Sequence, residues 1–205
     1  MFIQIFVLFL EFFSFTVVFG GNCQIEDCLF SVDNYTCPES YTKVTRTMGE
    51  YCIKVKAGSL DTFGAEADCQ TENSVLASIE SPDEANLILE LSLTATSTEG
   101  WCWVGAQRLA ACYGENFADY ACQPLKTASF RWTDGFTVGT DGFIFTDPQP
   151  NNLAYNQNCL ALVSASSSYL SGQNLAPGSL GDAPCNMTDQ VVSYACGQPA
   201  TISST

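Results

Sequence analysis

A chain of 205 residues, 46% of them apolar, is long enough for one domain with a sizeable core and too apolar to be disordered. Twenty-two acidic residues stand against seven basic ones, a formal charge of −15. That balance argues against nucleic acid, which requires a basic footprint, and against electrostatic docking on anionic membranes. The chain has no histidine, so histidine general bases, Ser-His and Cys-His nucleophile pairs and His-ligated zinc are all excluded.

Residues 1–20 form an apolar run interrupted by Glu11 and Ser14 and followed by Gly20 and Gly21. They read as a cleaved secretion signal. A stable membrane anchor would need about 20 unbroken apolar residues. Residues 21–36 are a short lead containing Cys23 and Cys28, and the tail over 198–205 is small, polar and expected to be loose. Asn34-Tyr35-Thr36 and Asn186-Met187-Thr188 are N-glycosylation acceptors, with Asn34 and Asn186 as the modified residues. Eleven cysteines fit an oxidising, extracellular compartment.

Asp61 is predicted to cap a helix running to about Thr71, with Phe63, Ala67 and Cys69 turned inward. Ser81-Pro82-Asp83-Glu84 predicts a second helix, with Ser at the N-cap, Pro at the first helical position and Glu84 closing a capping box. Strands are predicted over 41–45, 51–55, 101–106, 129–133, 142–146, 159–163 and 191–196. The segments 147–158 and 164–184 read as long loops. Helices early and strands late give an α+β fold. Asp134, Asp141 and Asp147 read as turn residues, with a cation site as the alternative, and Glu80, Asp83 and Glu84 as favourable charges at a helix start.

Four segments follow one another in a telling order: Ala65-Glu66-Ala67-Asp68-Cys69-Gln70; Trp103-Val104-Gly105-Ala106; Gln149-Pro150-Asn151 with Gln157-Asn158-Cys159; and Leu180-Gly181-Asp182 with Cys185 and Cys196. Over residues 37–197 the chain resembles a C-type lectin-like domain in its long form. The resemblance implies two helices, two small antiparallel sheets and chain ends brought together. It implies bridges Cys69–Cys196 and Cys159–Cys185, and Cys37 and Cys52 fit the additional N-terminal bridge. Cys112 and Cys122 are close enough in sequence to staple an insertion. Cys23, Cys28 and Cys102 remain; a disulfide-linked dimer and burial of Cys102 as a small hydrophobe are the two outcomes considered.

In that family a calcium ion and sugar hydroxyls meet at the Gln-Pro-Asn and later Asn-Asp positions. The resemblance therefore places ligand binding at Gln149, Asn151, Gln157 and Asp182. Only Asp182 is acidic, and Gly181 stands where a side-chain oxygen is expected, so tight calcium binding is not expected and no cofactor is assigned. Gln149→Glu, Gln157→Glu and Gly181→Asn together should rebuild an anionic cage if the loop holds the family geometry. Asn152 and Asn158 are expected to satisfy their own loop. The resulting expectation is a secreted, non-catalytic recognition protein for carbohydrate or protein. The alternatives are a structural extracellular protein assembled through spare cysteines and, last, a hydrolase with a carboxylate pair.

Overall fold

The computed structural model describes residues 34–114, 122, 127–165 and 175–203. The expected secretion signal, Cys23 and Cys28 lie outside the described residues. In order the chain forms β1 (Tyr35–Thr36), β2 (Thr42–Arg46), β3 (Gly49–Ala57), α1 (Thr62–Gln70), β4 (Val75–Leu76), α2 (Pro82–Ala95), β5 (Gly100–Arg108), β6 (Phe130–Trp132), β7 (Cys159–Ser164), β8 (Leu180–Ala183), β9 (Val191–Pro199) and β10 (Thr201–Ile202). The main sheet has the order β2-β3-β9-β5-β7-β8, with β4 on β9 and β6 on β5. Two antiparallel halves meet at the parallel β5–β9 pair, where Trp103 lies beside Tyr194.

Side-chain alternation decides where the core lies. Along β5, Cys102, Val104 and Ala106 enter one apolar cluster, and Trp101 and Trp103 enter another. β7 divides the same way, Leu160 and Leu162 against Ala161 and Val163. Strands buried on both faces read as continuous apolar runs, as these do. α2 covers the first cluster through Ala85 and Ile88, and α1 covers the second through Ala65 and Cys69. The β5 backbone also passes very close to β4. A Cβ on Gly105 would lie 2.2 Å from the Leu76 carbonyl oxygen, so the motif requires glycine there.

All four bridges are present: Cys37–Cys52, Cys69–Cys196, Cys112–Cys122 and Cys159–Cys185. The first bridge tethers the chain ahead of β2 to β3, and Cys69–Cys196 fastens α1 to β9. That second attachment explains a difference from the sequence reading. Asp61 caps α1 as expected, accepting from the Gly64 N–H at 2.7 Å. The buried face, however, is Thr62, Ala65 and Cys69, while Phe63 is 71% exposed and Ala67 faces out. Positions 62, 65 and 69 share one side of a helix, and residues 63 and 67 fall on the opposite side.

The segment 142–146, predicted as a strand, makes only one bridge, Phe145 to Leu180. It is held by the Leu180 N–H on the Ile144 carbonyl at 2.6 Å and by side chains, with Phe143 stacked on Trp132 at 3.8 Å between centroids. The tail expected to be loose continues β9 to Pro199, then forms β10 against β1, with Thr201 opposite Thr36. Segments 34–36 and 201–203 are thus brought together, since Asn34 also accepts from Ser203.

A buried arginine unites this half of the domain. Arg46, at the end of β2, makes a two-pronged contact to Glu84 at 2.8 and 2.9 Å. It also donates to Asp134 at 3.0 Å, to the Ser78 carbonyl at 2.8 Å and to Thr137 at 2.9 Å, and lies 3.7 Å from the Tyr51 ring centroid. Glu84 therefore does not return to Ser81 as a capping box would. Its own N–H donates to the Ser81 hydroxyl oxygen, and its carboxylate accepts from the Glu80 N–H and from Arg46. Asp134 is likewise more than a turn former; against the upward push of burial, the hydrogen bonds from Thr137 and the Phe136 N–H, with the Arg46 guanidinium, hold its carboxyl below the usual range.

Removing Arg46 leaves two buried carboxylates uncompensated. Arg46→Met is expected to lower unfolding free energy by about 3–5 kcal/mol in chemical denaturation, and a loss under about 1 kcal/mol would show the cluster to be dispensable. Cys102 is the free cysteine among the described residues, fully buried, and burial pushes its thiol up to about 12. It should resist alkylation in the native protein and react in denaturant; rapid native labelling, read by peptide mass mapping, would contradict the burial.

Candidate functional site

The loop over 149–158 is built around Asp182. This residue sits in β8 opposite Leu160 and is 3% exposed. Its Oδ1 accepts from the Asn151 N–H at 2.9 Å and its Oδ2 from the Asn152 N–H at 2.8 Å. The same Oδ2 accepts from Arg108 at 2.5 Å. Arg108 ends β5, lies 4.4 Å from the Phe130 ring centroid and donates through Nε to the Gln157 carbonyl at 2.9 Å. Its backbone N–H donates to the Asn158 carbonyl at 2.8 Å. One ion pair thus grips the start of the loop through Asp182 and its end through Arg108. Burial pushes the Asp182 carboxyl above the usual carboxylate range, against the opposing pull of the two N–H groups and Arg108.

The structure brings the sequence-selected residues together but gives them unequal positions. Gln149 is 4% exposed, within the loop base. Asn151 is exposed, and its side-chain oxygen accepts from the Leu153 N–H at 3.1 Å. Gln157 is half-buried, and its side-chain oxygen accepts from the same N–H at 2.5 Å. Asn152 satisfies the loop as expected: it accepts from the Gln157 N–H at 3.1 Å and donates to the Gly114 carbonyl at 3.0 Å. Both Asp147-Pro148 and Gln149-Pro150 are cis.

Most of the oxygens of these residues are already engaged within the protein. Calcium takes six to eight oxygens, several of them anionic. Here the lone carboxylate already serves a guanidinium and two N–H groups, and the Asn151 and Gln157 oxygens are turned to Leu153. Among the described residues no group of three acidic, Cys or His side chains is placed to hold a metal, and Asp134, Asp141 and Asp147 do not form one. Gly181 cannot be recruited either. A Cβ there would stand 2.8 Å from the Trp101 ring, so the expectation that Gly181→Asn would help rebuild a cage is corrected. Glycine is present because β8 packs directly on Trp101.

Sequence reading missed three residues. Arg108 is the first; its signal was parity, since it follows Cys102, Val104 and Ala106 on the same side of β5. The other two are Leu153 and Tyr155, 70% and 59% exposed on the outer edge of the loop. Nothing in composition distinguishes them; they are exposed because Asn152, Ala154 and Tyr155 take left-handed backbone angles, with φ of 47°, 57° and 59°. Beside them opens a cleft of about 370 Å³ lined by residues including Pro148, Gln149, Asn151, Leu153, Gln157 and Leu175.

A fold with this helix and strand order, these four bridges and this loop defines a C-type lectin-like domain. The family model for C-type lectin domain-containing protein 141/158 matches residues 38–199, and the chain belongs to that family. No match was found among curated protein sequences. Among solved structures, the chain is similar to a calcium-independent type II antifreeze protein (21% identity, TM-score 0.53, covering 82% of this chain and 97% of that one). It is similar also to the cow carbohydrate-recognition domain of CD23, solved in the presence of an oligosaccharide (20% identity, TM-score 0.54, covering 82% and 98%). A third is the calcium-independent C-type lectin SPL-2 from Saxidomus purpuratus (17% identity, TM-score 0.52, covering 79% and 93%). At these identities the likeness is one of fold.

Overfilling the contact under Trp101 gives a direct check of the loop base. Gly181→Ala is expected to destabilise the protein by about 1–3 kcal/mol, with Trp101 fluorescence altered in the native state. Unchanged stability would mean that β8 and Trp101 are less tightly packed than described.

Proposed function

We propose that this domain is a secreted, non-catalytic recognition module that binds carbohydrate or protein with the outer edge of the 149–158 loop. The observation that carries this reading is the exposure of Leu153 and Tyr155 on a backbone with three left-handed residues other than glycine. Such conformations cost roughly 1–3 kcal/mol each, persist only where their surroundings enforce them, and cluster at binding sites. The enforcing element is the buried frame of Asp182, Arg108 and Asn152 beneath.

Tyr155 offers an aromatic face with a polar tip, suited to the apolar face of a sugar ring or to an apolar side chain. Asn151 and Gln157 supply polar atoms at the rim of the adjoining cleft. Asp182 and Gln149 then act as support below the ligand. Secretion is favoured by the four bridges, by the apolar segment at residues 1–20 and by the exposure of both acceptor asparagines, Asn34 and Asn186. Among the described residues no helix is long and apolar enough to cross a membrane.

A glycan array screened with the wild-type protein and with Tyr155→Ala tests this reading. Loss of the aromatic face should weaken any array signal about tenfold or more, while melting stays within the range of an ordinary surface substitution, about 0.5 kcal/mol. Glycan binding that survives both Tyr155→Ala and Leu153→Ser would place the binding surface elsewhere.

A further inference from the structure

We infer that Arg108 is a built-in cation that does for the 149–158 loop what a bound divalent ion would otherwise have to do. This assignment is independent of which ligand the loop takes. Three observations carry it. The guanidinium is buried, with no exposed side-chain surface on either Arg108 or Asp182. It reaches two separate parts of the chain, the Asp182 carboxylate in β8 and the Gln157 carbonyl at the end of the loop. The carboxylate it neutralises in turn fixes the Asn151 and Asn152 N–H groups at the loop's beginning.

The chemistry is that of a metal site with the metal's role filled by a side chain. An ion coordinated by a carboxylate and loop oxygens cross-links chain segments and neutralises the acid. Arg108 performs both tasks with directed N–H donors, and its single positive charge balances the single negative charge of Asp182. A divalent ion at Asp182 would be repelled by the guanidinium held against the same carboxylate. Gly181, packed on Trp101, brings no side-chain oxygen, and the Asn151 and Gln157 oxygens accept from Leu153. Lysine would not be equivalent: a point charge cannot address the carboxylate and the Gln157 carbonyl with a planar fork.

Hydrogen exchange read by mass spectrometry on the full secreted protein tests this, comparing wild type, Arg108→Lys and Arg108→Gln in chelator and in millimolar calcium. In wild type, protection of the 149–158 peptides should be the same in both conditions. Arg108→Gln should lose at least tenfold protection there while β3 and β9 peptides keep theirs, and calcium should not restore it. Arg108→Lys should fall between the two, and carries the test if Arg108→Gln does not fold. Calcium-enhanced protection of the wild-type loop, or an unaltered loop in Arg108→Gln, would overturn the assignment.

Discussion

Arg108 and Asp182 hold the two ends of a ten-residue loop to the edge of the main sheet, and the candidate binding surface has its shape because of that pair. Taken alone, neither group favours its position. Burial pushes the Asp182 carboxyl up and the Arg108 guanidinium down, so desolvation outweighs their mutual attraction on both sides. Buried ion pairs are weak sources of stability for this reason, and removing one partner is far worse than replacing both with apolar groups. The pair is better understood as a device that selects one loop conformation. It puts Leu153 and Tyr155 outside and keeps the Asn151, Asn152 and Gln157 side-chain oxygens on the loop's own N–H groups.

Arg46 plays the corresponding part at the other end of the domain. It joins the end of β2 to the start of α2, to the Ser78 carbonyl and to the turn at 134–137. Between these two arginines lies the sheet itself, whose central strands β5 and β7 are buried on both faces. The packing beneath the loop is equally specific. Trp101 fills the space over Gly181 and contributes to the cluster that includes Leu175, a residue that also lines the cleft. The four disulfides fix chain entry, α1, the insertion and the end of the long loop to this frame.

Much of this was legible in the sequence, because capping and cysteine chemistry are local signals. Ser81-Pro82 began α2 and Asp61 capped α1 where expected. The long strands β3, β5, β7 and β9 carried apolar runs strong enough to declare themselves. Short pairings did not: β4 and β10 have two residues each, and β8 reads Leu-Gly-Asp-Ala, with little β-propensity of its own. β4 and β8 exist because the longer β9 and β7 recruit them, and β10 pairs with the equally short β1. The roles of the acids were the harder matter. Glu84, Asp134 and Asp182 looked like a capping, a turn and a metal-ligand residue, and each proved to face a buried arginine. Both arginines stand at strand ends, Arg108 in phase with buried side chains and Arg46 with the half-buried Thr42 and Val44, and that parity was the unread clue.

The resemblance singled out the 149–158 loop but could not say which of its side chains point outward. Gln149, Asn151, Gln157 and Asp182 are all there, yet the most exposed apolar surface comes from Leu153 and Tyr155, which no motif names. A crystal structure grown in millimolar calcium would test the central claim most directly. The account predicts that the Arg108 guanidinium remains against Asp182, with Asn151 and Asn152 N–H groups on the same carboxylate and no ion among them. A calcium ion coordinated by Asp182, with Arg108 displaced from it, would contradict the account.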